Sequence, residues 1–211
     1  MICVSVSDMA GLKAALESGA DMLELRLDLI GEDPSKLYLL IPGSVKSIVT
    51  CRSGVYSESE RLRMLQAGMK QGADYMDIEL ETAAGDLKQL LATASETGTR
   101  VIISYHDFER TADREELESV MIGCYEKGGE IAKIATRVNA PEDIRNLLSL
   151  YDLPGKKVII GMGTQGRITR LIAPYLGAEF TFASTGRSGE TAPGQLSLKE
   201  LKDIYKVIDE S

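Results

Sequence analysis

One pattern recurs four times along the 211-residue chain and limits its fold more than any other feature. Gly19-Ala20-Asp21 precedes MLELRLD, and Gly72-Ala73-Asp74 precedes YMDIELE. Gly128-Gly129-Glu130 precedes IAKIATR, and Gly177-Ala178-Glu179 precedes FTFAS. The starts of successive copies differ by 53, 56 and 49 residues. Each copy follows a segment with helical spacing, so its first glycine suits a left-handed helix C-terminus. Between the copies lie four more apolar runs: ICVSV (2–6), KSIVTCR (46–52), RVIISYH (100–106) and KKVIIGM (156–162). The chain therefore carries eight short β-type runs.

The intervening segments predict helices over 8–18, 57–71, 84–97, 112–127, 140–151, 165–176 and 197–209, with a weaker one at 34–41. Asp8, Ser57, Asn139 and Ser197 suit N-caps, which would put Pro141 in a first turn. Strands alternating with helices imply parallel pairing, because each crossover returns the chain to the same edge. Eight such units are the number of a closed (β/α)8 barrel, the TIM barrel. We therefore expect an α/β fold in a single domain over 1–211, with an open, doubly wound sheet as the alternative. No linker or low-complexity tract divides the chain.

Charge narrows the function classes. Against 24 Lys and Arg stand 32 Asp and Glu, a formal net charge of −8, which argues against nucleic-acid binding through a basic surface. A small anionic substrate remains open, because a local group of arginines can outvote the global charge. Runs such as Val158-Ile159-Ile160 are far too short to span a bilayer. The opening MICVSVSD enters a strand pattern without a signal peptide's basic and apolar regions. Cys3, Cys51 and Cys124 are odd in number and far apart, as expected of free, buried thiols in a reducing cytoplasm. No metal or organic cofactor is expected, since no His/Asp/Cys cluster offers a site.

In barrels of this kind, chemistry gathers at the C-terminal ends of the strands. The second run ends Glu24-Leu25-Arg26-Leu27-Asp28, and the third ends Thr50-Cys51-Arg52-Ser53. The fourth carries Asp77 and Glu79, the fifth ends at His106-Asp107, and the sixth carries Lys133. Strand alternation puts Lys133 on one face with Ile131 and Ala135. Turned outward it would strand its charge under a helix; turned inward it reaches the barrel mouth. There, desolvation and nearby arginines are expected to depress its pKa and leave a nucleophilic amine. The structural alternative is a lysine paired with Glu24 or Glu79 across the interior. His106, the single histidine, ends the neighbouring strand and could take and give a proton. Together the two suggest Schiff-base chemistry with proton transfer at an adjacent carbon. Arg26, Arg52 and Arg170 could grip a carboxylate, or could form helix–strand salt bridges.

At these residues the chain resembles the type I 3-dehydroquinate dehydratases, nearly end to end. The likeness rests on Glu24-Leu25-Arg26-Leu27-Asp28, Thr50-Cys51-Arg52-Ser53, Asp77-Ile78-Glu79-Leu80, His106-Asp107-Phe108, Lys133-Ile134-Ala135, Met162-Gly163 with Gly166–Arg170, and Ala192-Pro193-Gly194-Gln195. It implies that Lys133 forms an imine with the substrate ketone and that His106 moves the proton. It also implies that Glu24, Arg26, Arg52, Arg170, Thr191 and Gln195 bind substrate. Thr169 and Thr191 stand where many members have serine, and Tyr56 stands where many have the glutamate that supports the histidine. Glu58, Glu60 or no acid at all takes that role. Longer members carry an N-terminal hairpin under the barrel, so the floor is expected to be covered differently. The Gly- and Pro-rich stretch 188–195 is expected to be a lid, and the likeness implies a cytoplasmic homodimer. Two rival readings are a class I aldolase acting on a sugar phosphate, held at the turns after the seventh and eighth strands, and a non-catalytic binding barrel.

Overall fold

The computed structural model describes residues 1–186 and 194–210. Its strands are β1 (Ile2–Val6), β2 (Met22–Arg26), β3 (Lys46–Thr50), β4 (Tyr75–Glu79), β5 (Arg100–Asp107), β6 (Ile131–Arg137), β7 (Lys156–Met162) and β8 (Thr181–Ser184). All pairs are parallel, in the order β7-β6-β5-β4-β3-β2-β1-β8. Because β1 lies between β2 and β8, the strands follow chain order around a nearly closed barrel, with no reversal of the doubly wound kind. The seam lies between β7 and β8. There, among the described residues, the Glu179 N–H donates to the Lys157 carbonyl at 3.1 Å in place of a ladder.

The helices are α1 (Met9–Glu17), α2 (Leu27–Ile30), α3 (Pro34–Tyr38), α4 (Glu58–Lys70), α5 (Ala84–Thr97), α6 (Arg114–Glu126), α7 (Pro141–Ser149), α8 (Arg167–Ile172) and α9 (Leu198–Asp209). Asp8 caps α1, and Ser57 and Ser197 close capping boxes with Glu60 and Glu200. Asn139 is not a cap. Ala140 takes that position ahead of Pro141, and the Asp143 carboxylate accepts the N–H groups of Asn139 (2.7 Å) and Ala140 (2.9 Å). The segments expected at 140–151 and 165–176 finish in 3₁₀ turns, Leu150–Asp152 and Ala173–Leu176. The glycines of the repeat, Gly19, Gly72, Gly128 and Gly177, all have φ between 67° and 99°, as their place at helix ends requires.

The strands sort their side chains with a period of two. Leu23, Val49, Met76, Ile103, Ala132 and Ile159 point outward and pack under the helices. Cys3, Met22, Ile48, Tyr75, Ile102, Ile131, Val158 and Phe182 fill the barrel. At the floor the Arg100 guanidinium lies 4.1 Å from the Tyr75 ring centre and also donates to its phenol oxygen, so a side chain from inside β5 helps cover the bottom. One inward position higher, the apolar layer ends. Ser5, Glu24, Thr50, Asp77, Ser104 and Lys133 follow it on their strands, and all are buried. The change from hydrocarbon to hydrogen-bonding groups within one pleat creates the site.

Candidate active site

Above that polar layer opens a cavity of about 370 Å³, lined among others by Glu24, Arg26, Arg52, His106, Lys133, Arg170 and Gln195. Glu24 and Lys133 reach it from within β2 and β6, Arg26, Arg52 and His106 from the ends of β2, β3 and β5, Arg170 from α8 and Gln195 from the segment before α9. Seven of the eight expected site residues therefore meet at one mouth. The eighth, Thr191, lies outside the described residues, as does most of the 188–195 stretch expected to be a lid.

Lys133 is 4% exposed, and its ammonium is held from two sides. Nζ donates to Asp77 Oδ2 at 2.7 Å and to Glu24 Oε1 at 3.4 Å. The arginines expected near the amine are there, with Arg52 sharing Asp77, but the groups that touch Nζ are carboxylates. The ion pair of the structural alternative exists too, with Asp77 in place of Glu79. Asp77 also accepts from Arg52 Nη1 at 2.8 Å and Ser104 Oγ at 2.6 Å. Glu24 accepts from Ser5 Oγ at 2.6 Å and Thr50 Oγ1 at 3.2 Å. Burial alone would raise both acids. For Asp77 the charges of Arg52 and Lys133 outweigh it and hold the carboxyl well below the ordinary range. For Glu24, Lys133 is the chief opposing charge, and the result is again a lowered pKa.

The charges continue outward in alternation. Arg52 sits 3.8 Å from Glu79, and Glu79 is paired in turn with Arg61. Arg61, 2% exposed on α4, also donates to the Cys51 carbonyl at 2.7 Å, and so ties the helix to the end of β3. Arg26 makes a two-point contact with Asp28, at 3.0 and 2.6 Å. Arg52 is thus paired inside the barrel mouth with Asp77 of β4, while Arg26 makes the helix–strand salt bridge of the alternative reading, to Asp28 on the short α2. Arg170 is 1% exposed and faces the same cavity from α8.

His106 stands on β5 beside Lys133's strand, with Ser104 in register with Lys133. Its ring lies parallel to Phe108, at 6.1 Å between centres. Burial first, then the charges of Arg52 and Lys133, push its pKa well below the ordinary imidazole value. It is therefore held as a neutral base. Neither glutamate considered as its support is placed for it: Glu58 pairs with Arg61 at 3.0 Å, and Glu60 caps Ser57. Tyr56 packs against the outer core. Thr169 accepts the Gly161 N–H at 2.8 Å and donates to the Gly166 carbonyl at 2.7 Å, so its hydroxyl fixes the turn between β7 and α8.

Asp77 and Thr50, noted at strand ends but given no role by the sequence, and Ser5, Ser104 and Phe182 are further neighbours of Lys133 and its two carboxylates. A period-two reading of each strand finds them: every one lies inward, two residues beyond the apolar layer or within its last ring.

Fold and cavity together define a class, the (β/α)8 barrels that carry a buried lysine beside a histidine and several arginines at the C-terminal mouth. Comparison with known proteins narrows it. Residues 2–211 match the family model described as Type I 3-dehydroquinase. The 3-dehydroquinate dehydratase of Methanocaldococcus jannaschii is 34% identical over 226 residues, covering 99% of each chain. The crystal structure of the 3-dehydroquinate dehydratase of Aquifex aeolicus superposes with a TM-score of 0.85 at 33% identity, covering 98% of this chain and 97% of that one. That of the Geobacillus kaustophilus enzyme gives a TM-score of 0.88 at 24% identity over 99% and 91%, a likeness of fold. The chain belongs to the type I 3-dehydroquinase family. Membership sets aside the sugar-phosphate aldolase and the non-catalytic barrel. Among the described residues, no helix is long and apolar enough to cross a membrane.

Proposed function

We propose that this chain dehydrates 3-dehydroquinate to 3-dehydroshikimate, a hydro-lyase step of aromatic amino-acid biosynthesis, through an imine on Lys133. One observation carries the assignment of residues: among the described residues, the one lysine lining the cavity shares it with arginines that suit a carboxylate, with a neutral imidazole on the next strand. Residues 1–211 act as one catalytic domain.

The protons can be followed through. Lys133 is an ammonium while Asp77 and Glu24 hold it. His106, held neutral, accepts one proton, and the freed amine adds to the ketone carbon. His106 returns that proton to the carbinolamine hydroxyl, which leaves as water, so that the C–O bond breaks as the C=N bond forms. The iminium then draws electrons from the adjacent C–H, which a neutral imidazole could not deprotonate beside a free ketone. His106 takes that proton, and an enamine results. It next gives the proton to the β-hydroxyl, which departs as the second water. Hydrolysis of the conjugated iminium consumes one water and releases the enone and Lys133. Arg26, Arg52 and Arg170 hold the carboxylate and hydroxyls, and with them the ring. Gln195, buried against the same cavity, adds a hydrogen-bonding wall. Thr191 is assigned to substrate binding on the family pattern alone.

The family likeness supports a homodimer, and the three free, buried thiols support a cytoplasmic setting. The test is direct. Enone absorbance should grow when 3-dehydroquinate is added, and borohydride added during turnover should fix the reduced ligand to Lys133. A protein that produces no enone, or whose adduct maps to another lysine such as Lys127, overturns the reading.

A further inference from the structure

Lys133 has a third neighbour besides its two carboxylates. Its Nζ lies 4.3 Å from the centre of the Phe182 ring. Phe182 is 2% exposed yet lines the cavity, so the ring is dry on its core side and faces the reacting atom on the other. The ring is also locked. Phe180 meets it edge to face at 5.5 Å and 69°, Tyr75 meets Phe180 at 6.0 Å and 63°, and Arg100 covers Tyr75 from the floor. Phe182 therefore belongs to an aromatic column that runs up the barrel and ends under the amine.

We infer that Phe182 is a catalytic residue of this site, whose ring face stabilises the positive charge on Lys133 through the imine stages of the reaction. The inference rests on the imine assignment above. Its physical basis is a change in the number of donors. As an ammonium, Lys133 has three N–H groups and can satisfy Asp77 and Glu24 together. As an iminium it keeps one N–H, so at most one of those carboxylates retains a good hydrogen bond. The charge meanwhile spreads from nitrogen onto the imine carbon. A π face needs no N–H and follows a spread cation as well as a compact one, and in a water-excluded site its attraction is at its strongest. The ring offers no lone pair to deprotonate the iminium and no nucleophile to compete for the substrate carbon. It thus supports the cationic stages without discharging them.

The test replaces Phe182 alone with 4-fluoro-, 3,5-difluoro- and 3,4,5-trifluorophenylalanine. Each fluorine drains the negative face while leaving shape and hydrophobic packing nearly unchanged. Rate constants for enone formation and the amount of borohydride-trapped Lys133 adduct are measured for each form, beside Phe182→Leu. We expect both readouts to fall stepwise with fluorine number, to a total of roughly tenfold in kcat at three fluorines. KM should move less, because the substrate binds before the iminium exists. A flat fluorine series with a normal Lys133 adduct overturns the role of Phe182 and leaves the imine assignment standing, whatever Phe182→Leu does to folding. Absence of any Lys133 adduct in the unsubstituted protein overturns both.

Discussion

At the scale of single residues, Lys133 carries two roles that pull against each other. It is the proposed nucleophile and also the counter-charge of two buried acids. Lys133→Met should abolish turnover, and it should destabilise as well, because Asp77 and Glu24 would keep their charges with fewer partners. Breaking a buried pair costs about 3–5 kcal/mol, which for a chain of this size lowers Tm on the order of 10 °C. A Met variant as thermostable as the parent contradicts the ion pair as drawn. His106 works through its neutrality. His106→Ala should lower the rate ~10²–10⁴-fold; with water serving in place of the imidazole, the imine should form more slowly than in the parent and then accumulate, seen as a mass shift of the intact protein. In the parent, the acid limb of kcat/KM should lie below the ordinary imidazole value of about 6.5, since protonating His106 on the way down in pH removes the base. A limb at or above that value speaks against it. Lys133, His106, Arg26 and Arg52 were legible in sequence because alternation from a strand's apolar residues tells which way a side chain at or near a strand end points, whereas Arg170, on α8, has no such period to place it. Asp77 was noted at its strand end but given no role, because a carboxylate on a strand has no meaning until Arg52, Ser104 and Lys133, between 25 and 56 residues away, are brought around it.

At the scale of elements, two glycines show what holds the helices against the sheet. Gly68 on α4 lies against β3, where an added Cβ would meet Val49 Cγ2 at 2.5 Å. Gly166, just before α8, has ordinary helical angles (φ −74°, ψ −13°), so only space makes it glycine. There an added Cβ would fall 2.4 Å from the Gly161 carbonyl. Valine methyls can shift, while a backbone carbonyl in β7 cannot without moving the strand. Either Ala variant should cost about 1–3 kcal/mol by overpacking. Gly166→Ala should in addition raise KM several-fold, because it displaces the helix that carries Arg170. Gly68→Ala should leave KM within about twofold while lowering Tm. Equal KM values for the two variants would mean that α8 does not aim Arg170. The positions of the strands were plain from the repeat, and most helices from their period. Asn139 was misread because its residue type suits a cap, whereas the Asp143 carboxylate already satisfies the donors at that helix end. The short α2 was missed because Leu27-Asp28 continues the alternation of β2, and only the two-point contact between Arg26 and Asp28 shows the chain turning there.

At the scale of the whole molecule, the barrel encloses a row of opposite charges, Glu24, Lys133, Asp77, Arg52, Glu79 and Arg61, linked in that order. Such a row makes stability depend on pH with a definite sign. Asp77 and Glu24 hold their protons less tightly in the folded chain than in the unfolded one. Above the ordinary carboxylate range both states are ionised, and the contribution of the row is complete. Below it the unfolded chain takes up protons that the folded chain refuses, so stability drains as pH falls toward the folded values. His106 adds a loss of the same sign starting higher, below about 6.5, because its folded form also refuses a proton. Near pH 3, Asp77 should by itself account for close to one proton taken up on unfolding, a slope of about 1.4 kcal/mol per pH unit. Asp77→Asn removes that proton. Its unfolding free energy, measured by urea titration between about pH 2.5 and 4, should therefore fall less steeply than the parent's, by close to that amount at the acid end and about half of it near pH 4, even though the variant is less stable at pH 7. Parallel slopes would mean that Asp77 titrates alike in both states, and that the row of charges is not held as tightly as its distances indicate.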